Sequence, residues 1–369
     1  MSLSRPIQLA FCIDDRFAPP LATLLHSLQT HSRADLGVQA HVVGNLSSPI
    51  RDKLSTLSRP DFEIHFHTQV PDFSHLHISP IYATRLSQAT YHRLALPALL
   101  PNVNRILYLD ADMIALDDFS TLWKTNLQGR STGVVQDYFL SHQERWKVLS
   151  LPFPEYFNAG MLLMDLDQWR SQTISERVAQ AVAEHPNWEY NDQDGLNVVL
   201  NGQCQFLDPR WNATTTRLQG NAVDHPVFIH FTGQEKPWHV SSVHPFREAY
   251  REHKQQTPWR DEPLTHFLDH EDQRILQSLQ TSLPQGGAIA IYGCGARGRR
   301  LALFLQAHHP AFSIRFMVDR AASNEWNGIP VYRQLPEETL DALLIASIPY
   351  RDEILKSLPP ALLSQVNII

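Results

Sequence analysis

The chain has 369 residues, 43% of them hydrophobic and 19% charged, enough to fill more than one core, so two domains are expected. A formal charge of −7 and a pI of about 6.2 provide no basic surface for nucleic acid, and no window reaches the roughly 18 apolar residues of a membrane-spanning helix. Cys12, Cys204 and Cys294 are far apart and odd in number, and the N-terminus carries no charged leader, which together point to a reducing cytoplasm.

In chain order, residues 7–13 form an apolar strand that ends in Asp14-Asp15, residues 21–30 have helical spacing, and residues 39–43 and 62–67 read as further strands. Residues 83–100 read as a helix carrying Tyr91, His92, Arg93 and Leu94, closed by Pro101. Residues 106–116 then read as one strand, Ile-Leu-Tyr-Leu-Asp-Ala-Asp-Met-Ile-Ala-Leu. In an extended strand Asp110 and Asp112 point to the same face. Two carboxylates so placed share a proton or a cation, and hard Mg2+ or Mn2+ suits oxygen ligands and binds substrate phosphates. The competing reading is a pair of solvated loop aspartates. This βαβ rhythm implies an α/β fold with a mostly parallel sheet, whose ligands sit at the carboxyl ends of the strands, where Asp14, Asp110 and Asp112 all fall.

Further on, Asn158 lies at a turn entering the apolar run 161–164. Asp192 and Asp194 open a helix over 195–200, where the helix dipole favours carboxylates, so simple capping competes with a functional role. Residues 228–231 form a short strand holding His230, either a satisfied core histidine or the edge of an anion cradle with Gly233 and Lys236.

These segments, in this order, resemble the family 8 retaining glycosyltransferases, the group of bacterial lipopolysaccharide galactosyl- and glucosyltransferases and, more distantly, glycogenin. The resemblance runs from about Ile7 to His239. It includes Asp14-Asp15, Tyr91-His92-Arg93-Leu94, Leu107 to Asp112, Phe157-Asn158-Ala159-Gly160, Asn191-Asp192-Gln193-Asp194, and His230-Phe231-Thr232-Gly233 with Lys236-Pro237-Trp238-His239. It implies a GT-A fold and transfer of galactose or glucose from a UDP-hexose donor to a glycan or lipid-linked glycan acceptor. It further implies that Asp110, Asp112 and His230 ligate Mn2+ (or Mg2+) bridging the UDP diphosphate. By the same resemblance Asp14 contacts uracil and Phe17 stacks on the base, with Arg16 at a position where the family often has asparagine. Ala111 belongs to the donor-binding set. Arg93, Asn158, Asp192 and Gln193 grip the donor sugar, and Gly233 and Lys236 hold the departing phosphate. Asp192, Gln193 and Lys236 are the expected catalytic residues. Gln193 would either attack covalently or shield a short-lived cation. Loops 73–79 and 135–154 are expected to shape the acceptor pocket.

The GT-A domain is expected over 1–262, a helical linker over 263–284, and a small half-Rossmann-like α/β domain over 285–369. There the strand 288–292 runs into Gly293-Cys294-Gly295-Ala296-Arg297-Gly298, a GxGxxG with strand before and helix after. Asp319 ends the next strand, 314–318, at the spacing of a dinucleotide fingerprint, and 327–331 and 343–347 supply further strands. Gly293, Gly295, Gly298 and Asp319 thus form a second nucleotide site or merely a tight packing turn, and Arg297, Arg299 and Arg300 face either a phosphate or solvent. Two other classes compete with the transferase reading. An NAD-dependent oxidoreductase acting through this glycine motif leaves Asp110 and Asp112 unexplained, and a non-catalytic sugar-nucleotide sensor needs no leaving-group lysine. Trp238, Phe246, Tyr250 and Trp259 are interspersed with four cations, Arg247, Arg251, Lys254 and Arg260, and four anions, Glu248, Glu252, Asp261 and Glu262. That balance predicts at most peripheral contact with the inner face of the inner membrane, and residues 285–369 are expected to organise a homo-oligomer or partner contact.

Overall fold

The computed structural model describes residues 6–33, 36–79, 87–321 and 324–369. The chain folds into two compact units, Met1–Lys236 with His244–Glu262, and Pro237–Val243 with Pro263–Ile369.

The first unit contains β1 (Ile7–Cys12), β2 (Val38–Val43), β3 (Phe62–His67), β4 (Arg105–Leu109), β5 (Met113–Ala115), β6 (Thr132–Gln136), β7 (Phe157–Asp165), β8 (Cys204–Phe206), β9 (Ala213–Thr214) and β10 (Phe228–His230). Seven of them form a sheet of order β3-β2-β1-β4-β7-β6-β8. β1, β2, β3 and β4 are mutually parallel, whereas β7 runs antiparallel to both β4 and β6. The pleat sorts side chains between two cores. Leu9, Phe11, Leu107, Leu109, Met161 and Leu163 enter one core, with Leu21, Leu24, Leu25 and Leu28 of the helix Ala18–His31. Their neighbours Ala10, Ile106, Tyr108, Leu162 and Met164 enter the other, under the helices Ile174–Glu184 and Asn191–Leu200.

The expected continuous strand over 106–116 is broken. β4 ends at Leu109 and β5 begins at Met113, and β5 belongs to a second, three-stranded sheet, β5-β10-β9. Asp110 N–H donates to Gly160 O (2.8 Å), and Phe231 N–H donates to Asp112 O (3.0 Å). The Asp-Ala-Asp step is therefore the crossing from one sheet to the other. Alternation along a strand does not set its side chains; the two ladders do. Two helical expectations shift as well. Within the expected helix 83–100, residues 83–86 lie outside the described residues, Gln88–Ala95 is a 3-10 helix, and only Leu96–Leu99 is α-helical. The helix expected over 195–200 starts earlier, at Asn191, which takes a left-handed φ of 48°. Asn158 lies inside β7 rather than at a turn before it.

The second unit contains β11 (Gly287–Tyr292), β12 (Phe312–Val318), β13 (Glu325–Trp326), β14 (Ile329–Tyr332), β15 (Ala342–Ile345) and β16 (Asn367–Ile368), in the order β13-β14-β12-β11-β15-β16. All pairs are parallel except the β13–β14 hairpin. The expected linker 263–284 is largely the helix His270–Ser282, whose Ile275, Leu276 and Leu279 are buried in this unit's core. Among the described residues, no helix is long and apolar enough to cross a membrane.

Candidate active site

The centre of the site is the crossing between the sheets. Asp110, Asp112 and His230 each present a ligand atom, and these atoms lie within 4.8 Å of one another. His230 Nε2 is 3.3 Å from Asp112 Oδ1 and 3.8 Å from Asp110 Oδ2. β10 pairs antiparallel with β5 so that His230 is opposite Met113, the residue after Asp112. Gly160, on β7, is what lets the groups approach. A Cβ there would stand 2.2 Å from His230 Cε1 and 2.9 Å from Asp110 Oδ2. Lys236 Nζ donates to Asp112 Oδ2 (2.6 Å) and to Phe231 O (2.5 Å). Burial alone would raise the Asp112 carboxyl, but the Lys236 ammonium against it outweighs that and holds the group below the usual carboxylate range.

The donor set fits a divalent cation. Two carboxylates and an imidazole suit Mn2+ or Mg2+ chemically. His230 Nδ1 lies 3.0 Å from Asn212 Oδ1, an oxygen that only accepts, so Nδ1 carries the proton and Nε2 keeps the lone pair facing the aspartates.

On the other flank Arg93 is buried against the same carboxylates. Its Nη2 donates to Asp110 Oδ1 (3.1 Å), its Nη1 to Ala159 O (2.6 Å) and its Nε to Thr90 O (2.9 Å). Nε also lies 3.1 Å from Asp192 Oδ2 as an ion pair, with both side chains only 6% exposed. Asp192 Oδ1 accepts from Thr90 Oγ1 (2.9 Å). Burial works against the Arg93 charge, but Asp192, Tyr108 and Asp110 outweigh it and hold the guanidinium above its ordinary value. Burial raises the Asp192 carboxyl, with Arg93 opposing. Tyr108 Oη donates to Asp110 Oδ1 (2.6 Å).

Gln193 is fixed by an irregularity in β7. The register with β6 shifts between Val134 and Val135, leaving Ala159, Gly160 and Met161 outside that ladder. Gln193 Oε1 accepts the Ala159 N–H (2.9 Å) and Asn158 Nδ2 (3.3 Å), while Gln193 Nε2 donates to Tyr156 Oη (3.3 Å). Asn158 Oδ1 accepts from Gly160 N (3.0 Å) and Asn212 Nδ2 (2.9 Å). Asp194 is not a simple cap. Beyond the Tyr190 N–H (3.0 Å) it accepts from Arg145 Nη2 (2.6 Å) and Tyr156 Oη (2.7 Å), and it is fully buried.

One hydrogen-bonded network therefore gathers Asp110, Asp112, His230, Lys236, Arg93, Asp192, Asn158 and Gln193. Ala111 is buried between the two aspartates. Asp14 follows β1, the strand beside β4. Its carboxylate caps Arg16 N (2.9 Å) and binds Arg16 Nη2 (2.9 Å), and the Arg16 bond overcomes partial burial to lower its pKa. Phe17 is half-buried against the first core, and Gly233, at a left-handed φ of 89°, has open space where a Cβ would stand. Sequence reasoning did not single out Asn212, Asp137 and Thr90. Apart from Trp211 ahead of it, Asn212 sits among short polar stretches with no periodic signal, and the others are recognisable only through partners distant in sequence.

In the second unit Gly298 is confined by packing, since a Cβ would lie 1.8 Å from Gly293 O. Gly293 takes a left-handed φ of 108°, and Gly295 precedes the helix Ala296–His308. Asp319 Oδ2 accepts the Cys294 N–H (2.8 Å). Arg297 and Arg300 have internal partners. Both are paired with Asp269 and Asp272, the capping-box residues of the helix His270–Ser282, at 2.6–3.0 Å. Arg299 Nε donates to Cys294 O (2.8 Å).

General stress protein A of Bacillus subtilis (strain 168) is 29% identical over 273 residues, covering 69% of this chain and 94% of that protein. Lipopolysaccharide 1,2-glucosyltransferase of Escherichia coli (strain K12) is 31% identical over 191 residues, 48% of this chain and 56% of that enzyme. The crystal structure of galactosyltransferase LgtC in complex with donor and acceptor sugar analogs superposes with a TM-score of 0.63 at 24% identity, covering 73% of this chain and 99% of that one, which shows the shared GT-A fold. The sequence model of glycosyl transferase family 8 matches residues 8–242, a span that holds every residue of the network above, and the chain belongs to that family.

Proposed function

We propose that this glycosyltransferase moves a hexose, galactose or glucose, from a UDP-sugar to a glycan acceptor with retention of configuration, in the synthesis of lipopolysaccharide or another surface polysaccharide. The observation that carries the reading is the convergence of Asp110, Asp112 and His230 where the chain leaves the carboxyl end of β4, one of the parallel strands β1 to β4, and crosses to the three-stranded sheet. The names of the relatives support the substrate class, and the sequence resemblance supports UDP and Mn2+.

In this reading Asp110, Asp112 and His230 hold Mn2+ or Mg2+, which supplies Lewis-acid stabilisation of the charge developing on the diphosphate. Lys236, held at Asp112, adds a fixed cation for the same leaving group. Asp14 and Phe17 serve the uracil and Gly233 the phosphate. Arg93 aligns Asp192, and with Asn158 and Gln193 they form the wall that meets the sugar. Two donors occupy Gln193 Oε1. Its lone pairs are thus engaged, which favours shielding of a short-lived oxocarbenium-like sugar over covalent attack.

The chain's place is at most the membrane surface. Tyr250 and Trp259 are 1% and 2% exposed, so these aromatics fill the core rather than face lipid. Lys254 is likewise buried, its Nζ held by the carbonyls of Trp259 (2.7 Å) and Glu262 (2.6 Å). We assign residues 285–369 to an oligomer or partner contact. A cofactor role for the glycine motif draws no support from Arg297 and Arg300, which are internally paired.

The deciding experiment incubates the full chain with UDP-galactose and UDP-glucose, with Mn2+ and with chelator, and follows released UDP and the anomeric configuration of the product by NMR. UDP affinity is expected to fall at least about tenfold in chelator, about 1.4 kcal/mol. Equal affinity in both conditions, or an inverted product, would reject the assignment.

A further inference from the structure

Asn212 is completely buried directly ahead of β9, whose Thr214 is the parallel register partner of His230. The orientation of its amide is determined by its neighbours. Nδ2 donates to Asn158 Oδ1 (2.9 Å), so Oδ1 is the atom that meets His230 Nδ1 (3.0 Å). Asn158 is oriented in turn. Its Oδ1 also accepts from Gly160 N (3.0 Å), and its Nδ2 donates to Asp137 Oδ2 (3.2 Å) and Gln193 Oε1 (3.3 Å). Asp137 is anchored by the Leu140 N–H (2.9 Å), which its other oxygen accepts as helix cap. Donation therefore runs in one direction, from the imidazole through Asn212 and Asn158 to a carboxylate. Reversing any member would bring two donors or two acceptors face to face in a buried site, at the cost of an unsatisfied polar group.

We propose that Asn212 is a positioning residue that holds His230 in the tautomer whose Nε2 lone pair faces Asp110 and Asp112, and that it couples this ring to the sugar-facing Asn158 and Gln193. The inference rests on the cation reading of the same cluster. A neutral imidazole has one proton and two nitrogens, and only the partner of one nitrogen decides what the other can ligate. Asn212 is that partner. The path of three hydrogen bonds from His230 through Asn212 and Asn158 to Gln193 means that a ring turned for ligation and an amide turned toward the sugar belong to one arrangement.

The tautomer is read directly on the metal-free full chain, above neutral pH, from 15N-histidine correlation spectra, with the His230 signals identified by their loss in His230→Ala. Nδ1–H is expected, and Nε2–H would overturn the proposal whatever the variants do. Mn2+ binding in the presence of UDP is then followed by the electron paramagnetic resonance of the free aquo ion. Loss of the acceptor in Asn212→Ala is expected to weaken Mn2+ by about 10–100-fold, whereas Asn212→Asp, which still accepts from Nδ1, stays within about threefold of wild type. The aspartate cannot donate to Asn158, so its kcat falls while its Mn2+ affinity holds. Equal Mn2+ affinity in Asn212→Ala and wild type, or equal weakening in both variants, refutes the positioning role. Mn2+ lost in His230→Ala but kept in Asn212→Ala overturns this proposal alone. Mn2+ bound equally by wild type and His230→Ala removes the cation reading and this inference with it.

Discussion

Gly160→Ala adds one methyl group at the tightest point of the site. Its Cβ would be 2.2 Å from His230 Cε1, 2.8 Å from Nδ1 and 2.9 Å from Asp110 Oδ2. Ordinary carbon contacts begin near 3.5 Å, so the ring or the strand must yield by about 1 Å. Neither can do so easily. His230 is held by the ladders to β5 and β9 and by Asn212, and Gly160 is pinned through Asp110 N–H and Asn158. Overpacking of this kind costs about 1–3 kcal/mol. At roughly 2–4 °C per kcal/mol, the melting temperature should drop by a few degrees to about 12 °C. A ring displaced by that distance also leaves its position 3.3 Å from Asp112, so Mn2+-dependent UDP binding should weaken by at least about tenfold. Differential scanning fluorimetry and titration calorimetry with UDP, each with and without Mn2+, read the two effects separately. A variant that melts with the wild type and binds UDP and Mn2+ as tightly would show that the close approach of β7 to His230 is wrong.

Arg93→Ala strands the buried carboxylate of Asp192 and removes a partner from the partly exposed Asp110, and should cost about 3–5 kcal/mol in urea unfolding; a loss under about 1 kcal/mol would mean the pairs contribute little. Asp192→Asn should lower kcat for hexose transfer far more than it lowers UDP affinity, because the proposed function sets Asp192 against the sugar; a full-rate variant would return it to a purely structural role. Intact-mass analysis during turnover should find no hexose adduct on Gln193, and a stable adduct there would reinstate covalent attack. Burial, with His67 and His65 adjoining, depresses the His41 pKa from 6.5 to about 3. The unfolded chain takes up that proton first, so this contribution to stability is present above about pH 6.5 and is lost progressively as pH falls toward 3. His41→Gln should flatten that limb of a urea stability profile, and an unchanged slope would exclude His41 as its source.

Much of the first unit was legible because strands buried on both faces must be apolar runs. Residues 7–12, 38–43 and 105–109 could hardly be anything else in a βαβ chain. The crossing at Asp110–Asp112 was not legible, since Met113–Ala115 continues the apolar pattern while its partner, β10, lies more than a hundred residues on. Strands of two or three residues, such as β9, are too short to show a period. The metal-type cluster could be inferred from motif order. The internal pairing of Arg297 and Arg300 could not, because the acidic helix cap that neutralises them, at Asp269 and Asp272, reads locally as an ordinary helix start. Asp194 is similar: the carboxylate accepts the Tyr190 N–H as a cap would, but it is also bound by Arg145, from a loop expected to serve the acceptor.

The seam between the two sheets has a consequence for the dynamics of the protein. Asp110 hangs from the end of β4, in the seven-stranded sheet, whereas Asp112 and His230 border β5 and β10, in the three-stranded one. A cation gripped by all three would act as a further fastener between two hydrogen-bonded layers that already share a core and the Asn212–Asn158 bond. At a hundredfold excess over its dissociation constant it adds about 2.7 kcal/mol to whatever opening separates them. The amides of β5, β9 and β10 should then exchange with solvent as a separate, faster-opening group in chelator, and merge with the large sheet into one cooperative unit when the cation is supplied. A cation in the proposed role would thereby also decide whether this half of the molecule opens as one body or two.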